Sequence, residues 1–91
     1  MSELLESEEQ AKIFSALADR VRLRFVRELV ERGERNGTEV AEKLGVSLAL
    51  LCHHSRILVD AGVVVKRKEG QTAYYSANTR LLKTCMKSLL S

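Results

Sequence analysis

The stretch TEVAEKLGVSLALLCHHSRILVDAG, residues 38–62, decides the fold. Thr38 is placed to cap a short helix with an apolar stripe of Val40, Ala41 and Leu44, its hydroxyl accepting a backbone N–H that a helix start leaves unpaired. Gly45 permits a tight turn with positive φ, and Ser47 caps a second helix. The two helices are joined by about three residues, with the small Ala41 four before the turn glycine and the apolar Leu51 six after it. That is the spacing of a helix-turn-helix, although an ordinary helical hairpin shares it.

The flanking chain separates the two. Residues 63–77, VVVKRKEGQTAYYSA, change character: Val63, Val64 and Val65, then Thr72, Tyr74 and Tyr75, are β-formers. Between them lie a turn glycine and the cations Lys66, Arg67 and Lys68. The segment predicts a β-hairpin with a basic tip, and a hairpin directly after a helix-turn-helix makes a winged helix.

Upstream, Ala11, Phe14, Leu17 and Ala18, with Ile13 beside them, follow helical spacing from Ser7 to Leu17. Asp19 is placed to cap a second helix, in which Val21, Phe25, Val26, Leu29 and Val30 line one side. Arg20, Arg22, Arg24 and Arg27 take mostly the other sides, and Gly33 with Gly37 ends it. At the far end, NTRLLKTCMKSLLS (residues 78–91) puts Leu82, Met86, Leu89 and Leu90 on one stripe, flanked by Leu81 and Cys85. That face must pack on the first helix, on a second subunit, or on both.

The expected architecture is mainly α with a small β-hairpin, a winged helix-turn-helix of five helices with the hairpin before the last. It forms a single domain over residues 1–91, with the helix-turn-helix at about 38–61, the wing at about 63–77 and a terminal dimerisation helix at about 79–90. A second copy would help such a chain, because 91 residues bury only a modest fraction of their surface alone.

Composition narrows the function. A chain 45% hydrophobic and 30% charged, with two Phe, two Tyr and no Trp or Pro, suits aliphatic packing between helices. No run approaches the ~18 apolar residues of a membrane span, and the acidic start MSELLESEEQ lacks the basic and apolar regions of a signal peptide. A cytoplasmic protein with no membrane partner is expected. Its two cysteines, Cys52 and Cys85, are then thiols. Residues 1–45 carry 8 Lys and Arg against 10 Asp and Glu, while residues 46–91 carry 7 against 2. An anionic partner belongs on the second half. No convergent acid, base or nucleophile set emerges, so an enzyme is not expected.

The segments ALADRVRLRFVREL, VAEKLGVS, CHHSRIL and AGVVVKRKEGQTAYYS, in order and at the right distances, resemble those of the ArsR/SmtB family of winged-helix repressors. The likeness covers nearly the whole chain. It implies a homodimer, joined through the first and last helices, that represses transcription by binding an inverted-repeat operator in double-stranded DNA. Many family members release DNA on binding metal, commonly through an ELCVCDL motif; the aligned stretch here is ERNGTEV, with Asn36 and Thr38 in place of the cysteines. A second family site uses Asp and His on the terminal helix, and residues 78–91 contain neither. No metal or cofactor is therefore expected, and a redox or small-molecule effector is left open.

The triplet Cys52, His53 and His54 invites a metal or nucleophile reading, which helical geometry excludes. Side chains about 100° apart fan these three over roughly 200°, whereas zinc needs ligands that converge. With Leu51 and Leu58 as core anchors, His54 and Ser55 fall inward and Ala49, Cys52, His53 and Arg56 outward. The second helix of a helix-turn-helix enters the major groove by its N-terminal end, which nominates Ser47, Leu48, Ala49, Cys52, His53 and Arg56 for DNA contact. Arg56 suits phosphate or guanine, His53 a phosphate or base acceptor, and the helix start at Ser47 a phosphate.

Leu48, Ala49 and Leu50 stand where the family usually has polar residues. They can meet thymine methyls, predicting A·T pairs in the central half-site, or else pack against protein. Lys66, Arg67 and Lys68 would reach phosphates or an adjacent minor groove from the wing. His54 is expected to bond a neighbouring element's backbone, and Ser55 a backbone carbonyl or a water. Cys52 either replaces a serine as a small donor or, if oxidised, repels DNA; Cys85 is expected to pack at the subunit interface. The alternative function is a winged helix that docks a protein through the Leu48–Leu51 ridge.

Overall fold

The Asp19 carboxylate accepts hydrogen bonds from the backbone N–H groups of Val21 and Arg22 at 2.9 and 3.1 Å. This cap starts α2 (Arg20–Arg32) with only two residues between it and α1 (Ser7–Leu17), in the computed structural model, which describes residues 4–91. Gly33, at φ 82°, stops α2 in a conformation that a side chain would strain.

A two-residue strand not expected from the sequence follows: β1, Arg35–Asn36. It leads directly into α3 (Gly37–Leu44), which is capped by Asn36 and not by Thr38. Asn36 Oδ1 accepts from the Glu39 N–H at 2.9 Å, and Glu39 Oε1 accepts from the Asn36 N–H at 3.0 Å. This reciprocal box satisfies two donors where a lone Thr38 cap would satisfy one, and it starts the helix two residues earlier.

Gly45, at φ 70°, closes α3 in the left-handed region, its N–H returning to Ala41 and Glu42. Ser47 Oγ then accepts from the Leu50 N–H at 3.1 Å to begin α4 (Leu48–Asp60). The hairpin consists of β2 (Val64–Glu69) and β3 (Thr72–Ala77). With β1 it forms a three-stranded antiparallel sheet in the order β1-β3-β2, where Tyr75 lies opposite both Arg35 and Lys66. Asn78 ties the end of the wing to the end of α4, donating to the Gly62 carbonyl at 3.0 Å while it caps α5 (Thr79–Leu90).

Phe25, Leu29, Val40, Leu51, Leu58, Val63, Val64, Tyr75 and Cys85 form the fully buried centre. Phe25 meets the Tyr75 ring edge-on at 5.5 Å, fastening α2 to the middle strand of the sheet. The helix faces differ in part from those expected. On α1 the core residues are Ile13, Ala16 and Leu17, with Ala11 and Ala18 exposed. On α2 the seam is Phe25, Val26 and Leu29, while Val30 is 54% exposed, one step too far around the helix. Cys85 lies inside its own protomer's core, not at a subunit boundary, with Met86, Leu89 and Leu90 exposed beyond it. Gln10 donates to the Cys85 carbonyl at 3.0 Å and the Leu5 N–H donates to Ser88 Oγ at 2.9 Å, so the start of α1 runs beside α5.

Replacing Asn36 by Ala should cost about 1 kcal/mol of stability in urea denaturation, as cap removal typically does. Replacing Thr38 by Ala should change it by less than about 0.5 kcal/mol, the usual range for a surface site. The reverse order would restore Thr38 as the cap.

Candidate nucleic-acid interface

The two faces of α4 divide cleanly. Leu51, His54, Ser55 and Leu58 are buried, and Ser47, Leu48, Ala49, Leu50, Cys52, His53 and Arg56 are exposed. Leu48 alone leaves 50% of its surface to solvent. The first turn of α4 carries no acidic residue, so the positive end of the helix dipole is not offset there.

The buried polar groups on the inner face are satisfied. Ser55 Oγ donates to the Cys52 carbonyl at 2.9 Å, within the same helix. His54 is held by side chains instead of a neighbouring backbone: Arg22 Nη1 lies 3.1 Å from His54 Nδ1, with Asp19 Oδ1 at 3.9 Å. Arg22 Nε also donates to the Ala16 carbonyl at 2.6 Å. One guanidinium thus locks together the end of α1, the cap of α2 and the middle of α4. Because arginine only donates, Nδ1 must accept, which makes His54 neutral with its proton on Nε2. Burial pushes the His54 pKa below the usual imidazole range; Arg22 and His53 add to this and Asp19 opposes it. Asp19 is itself held below the ordinary carboxylate value, foremost by the Arg22 backbone N–H.

The wing cations do not share one face. Side chains alternate along a strand, so Lys66 and Lys68 share a face and Arg67 takes the other. Lys66 and Lys68 line an open groove of about 400 Å³ together with Leu48, Cys52, Thr38 and Gln71. The start of α4 and one face of the wing therefore look into the same space. On the opposite face, Arg67 donates to the Glu34 carboxylate from Nη2 and Nε at 2.8 and 2.9 Å, and to Glu69 from Nη1 at 2.8 Å. Its guanidinium carbon sits 4.5 Å above the Tyr74 ring. Glu34 is held below the usual carboxylate range, first by its hydrogen bond from Arg67.

The structure thus gathers Leu48, Cys52, Lys66 and Lys68, keeps Ser47, Ala49, His53 and Arg56 on the same exposed helix face, and sets Arg67 apart. Glu34 and Arg22 escaped sequence reasoning, because their partners lie 33 and 32 residues away. Strand alternation alone would have separated Arg67 from its neighbours. Among the described residues, no three His, Cys, Asp or Glu side chains are grouped to hold a metal ion, and no helix is long and apolar enough to cross a membrane.

No protein-family model matches the chain. It is 39% identical over 77 residues to the arsenical resistance operon repressor of Bacillus subtilis, covering 85% of this chain and 71% of that protein. To the transcriptional repressor SdpR of the same organism it is 32% identical over 79 residues, covering 87% of each. Among solved structures, the homodimeric winged helix-turn-helix DNA-binding domain from Mycobacterium bovis superposes with a TM-score of 0.76 at 26% identity, covering 91% of this chain and 74% of that one.

The depressed His54 pKa sets a pH dependence. Below the ordinary imidazole value of 6.5 the unfolded side chain takes a proton that the native one refuses, so stability should fall as pH drops through that value. Asp19 acts in a separate window, losing its contribution only as pH falls below its ordinary 3.8. Urea midpoints between about pH 8 and 5.5 should decline for the native chain and decline less for His54→Gln. Equal declines would remove His54 as the cause.

Proposed function

The chain belongs to the ArsR/SmtB family of winged-helix repressors, and on that premise we propose that it is a cytoplasmic, non-enzymatic transcriptional repressor that binds an inverted-repeat operator as a homodimer. The observation that carries this is the pairing of a bare α4 face with Lys66 and Lys68 across one groove. An apolar inner face anchors the helix, and an exposed outer face is flanked by cations suited to a polyanion.

The dimer forms through α1 and α5. Leu89 and Leu90 are 59% and 86% exposed at the end of α5, with Met86 and Leu4 exposed nearby in the chain's own fold. Apolar side chains concentrated at one end of a molecule this small favour burial against a second copy. Two-fold symmetry then sets the two α4 helices in successive major grooves, about 34–36 Å apart or a multiple of it.

In each half-site, Ser47 meets a phosphate at the helix start, and Leu48 and Ala49 touch thymine methyls. His53 and Arg56 reach phosphate or base edges farther along. Cys52 stands in this face as a small, weak donor. Lys66 and Lys68 hold the backbone from the wing. The exposure of Leu48 and Ala49 supports the thymine contact over packing within the protomer.

Anisotropy titration with a duplex from upstream of its own gene tests this. With about 6–10 phosphate contacts in the dimer, affinity should drop about 10³–10⁵-fold between roughly 50 and 200 mM salt. Arg56→Ala should weaken binding by about 1–3 kcal/mol if it reads a base. Affinity that hardly responds to salt would overturn the repressor reading and favour a protein partner on the Leu48–Leu51 ridge.

A further inference from the structure

We propose that Arg67 is a positioning residue: it fixes the wing to the strand entering the helix-turn-helix through Glu34, and does not itself bind phosphate. This rests on the DNA-binding function proposed above. The sheet order places β1 and β2 on opposite sides of β3. Arg67 on β2 reaches across the Tyr74 ring of β3 to Glu34, which immediately precedes β1. The ion pair therefore spans the whole width of the sheet, on the face away from the groove.

Both partners of that clip lead directly to the binding groove. Lys66 and Lys68 flank Arg67 in sequence and point to the groove side. Glu34 is followed by β1 and by Asn36, the residue that caps α3. The clip couples the angle of the wing to the start of the helix-turn-helix, and so sets how far the two lysines stand from α4.

Electrostatics agrees with a positioning role. The guanidinium is matched by two carboxylates at 2.8–2.9 Å, Glu34 by a two-pronged contact and Glu69 by one bond. A phosphate on this face would have to displace one of them or approach both. Two-pronged arginine–carboxylate pairs fix geometry as well as attract. A solvent-exposed pair adds little to global stability, so its consequence is local.

The test uses the whole chain and the same promoter duplex, with the salt slope of binding as the readout. Lys66→Ala/Lys68→Ala should lower the slope, because each lost phosphate contact removes about 0.9 per subunit. Adding Arg67→Gln to that pair should leave the slope where it is. A phosphate-binding Arg67 would instead lower it by a further ~1.8 for the dimer. Glu34→Gln, alone, should weaken binding several-fold even though it deletes a negative charge near DNA, with no loss of thermal stability. It should also blunt the effect of the two lysine substitutions.

A further slope loss from Arg67→Gln, a Glu34→Gln variant that binds as well as or better than the native chain, or lysine substitutions without effect would each overturn the positioning role while leaving DNA binding in place. A native chain with no salt-dependent binding would overturn the function itself, and the positioning role with it.

Discussion

Leu51 and Leu58 hold α4 to the core by one side, and the rest of the molecule depends on that anchorage. A helix that reads a groove must be rigid where it touches its own protein and unencumbered where it touches DNA. The core supplies the apolar half of the fixing; Arg22 supplies the polar half, by joining His54 to the corner between α1 and α2. Ser55, a hydroxyl in the same seam, is accommodated by bonding its own helix. The inner face is then fully satisfied, and no buried side-chain polar atom among the described residues lacks a partner.

The wing is organised by the same separation of faces. Alternation along β2 sends Val64, Lys66 and Lys68 to one side and Val65, Arg67 and Glu69 to the other. Val64 enters the core, and the lysines continue that face outward beside α4. The other side carries the Arg67–Glu34–Glu69 cluster over Tyr74. Three successive cations thus divide into two that face the proposed duplex and one that braces the strand carrying them.

Local signals made most of this fold legible. Asp19, Gly45 and Ser47 mark helix ends through bonds to residues two to four away, and each does so in the structure. The inward and outward residues of α4 follow from its helical period and the two leucine anchors. The winged helix class and family resemblance followed from the same motifs, and the similarity to Bacillus repressors agrees with them.

What escaped was non-local or short. A two-residue strand gives no alternation to detect, so β1 and the Asn36 cap beside it were missed. Cys85 and Met86 are neighbours on an amphipathic helix, and only tertiary packing decided which one the protomer buried. The partners of His54 and Arg67 come from distant segments, beyond the reach of any sequence window.

Amide chemical-shift mapping of the full chain with promoter duplex tests the central claim most directly. Perturbations should concentrate on Ser47 to Arg56 and on the Lys66 and Lys68 side of the wing. Shifts confined to the exposed Leu23 and Val30 face of α2, with α4 unmoved, would contradict the account.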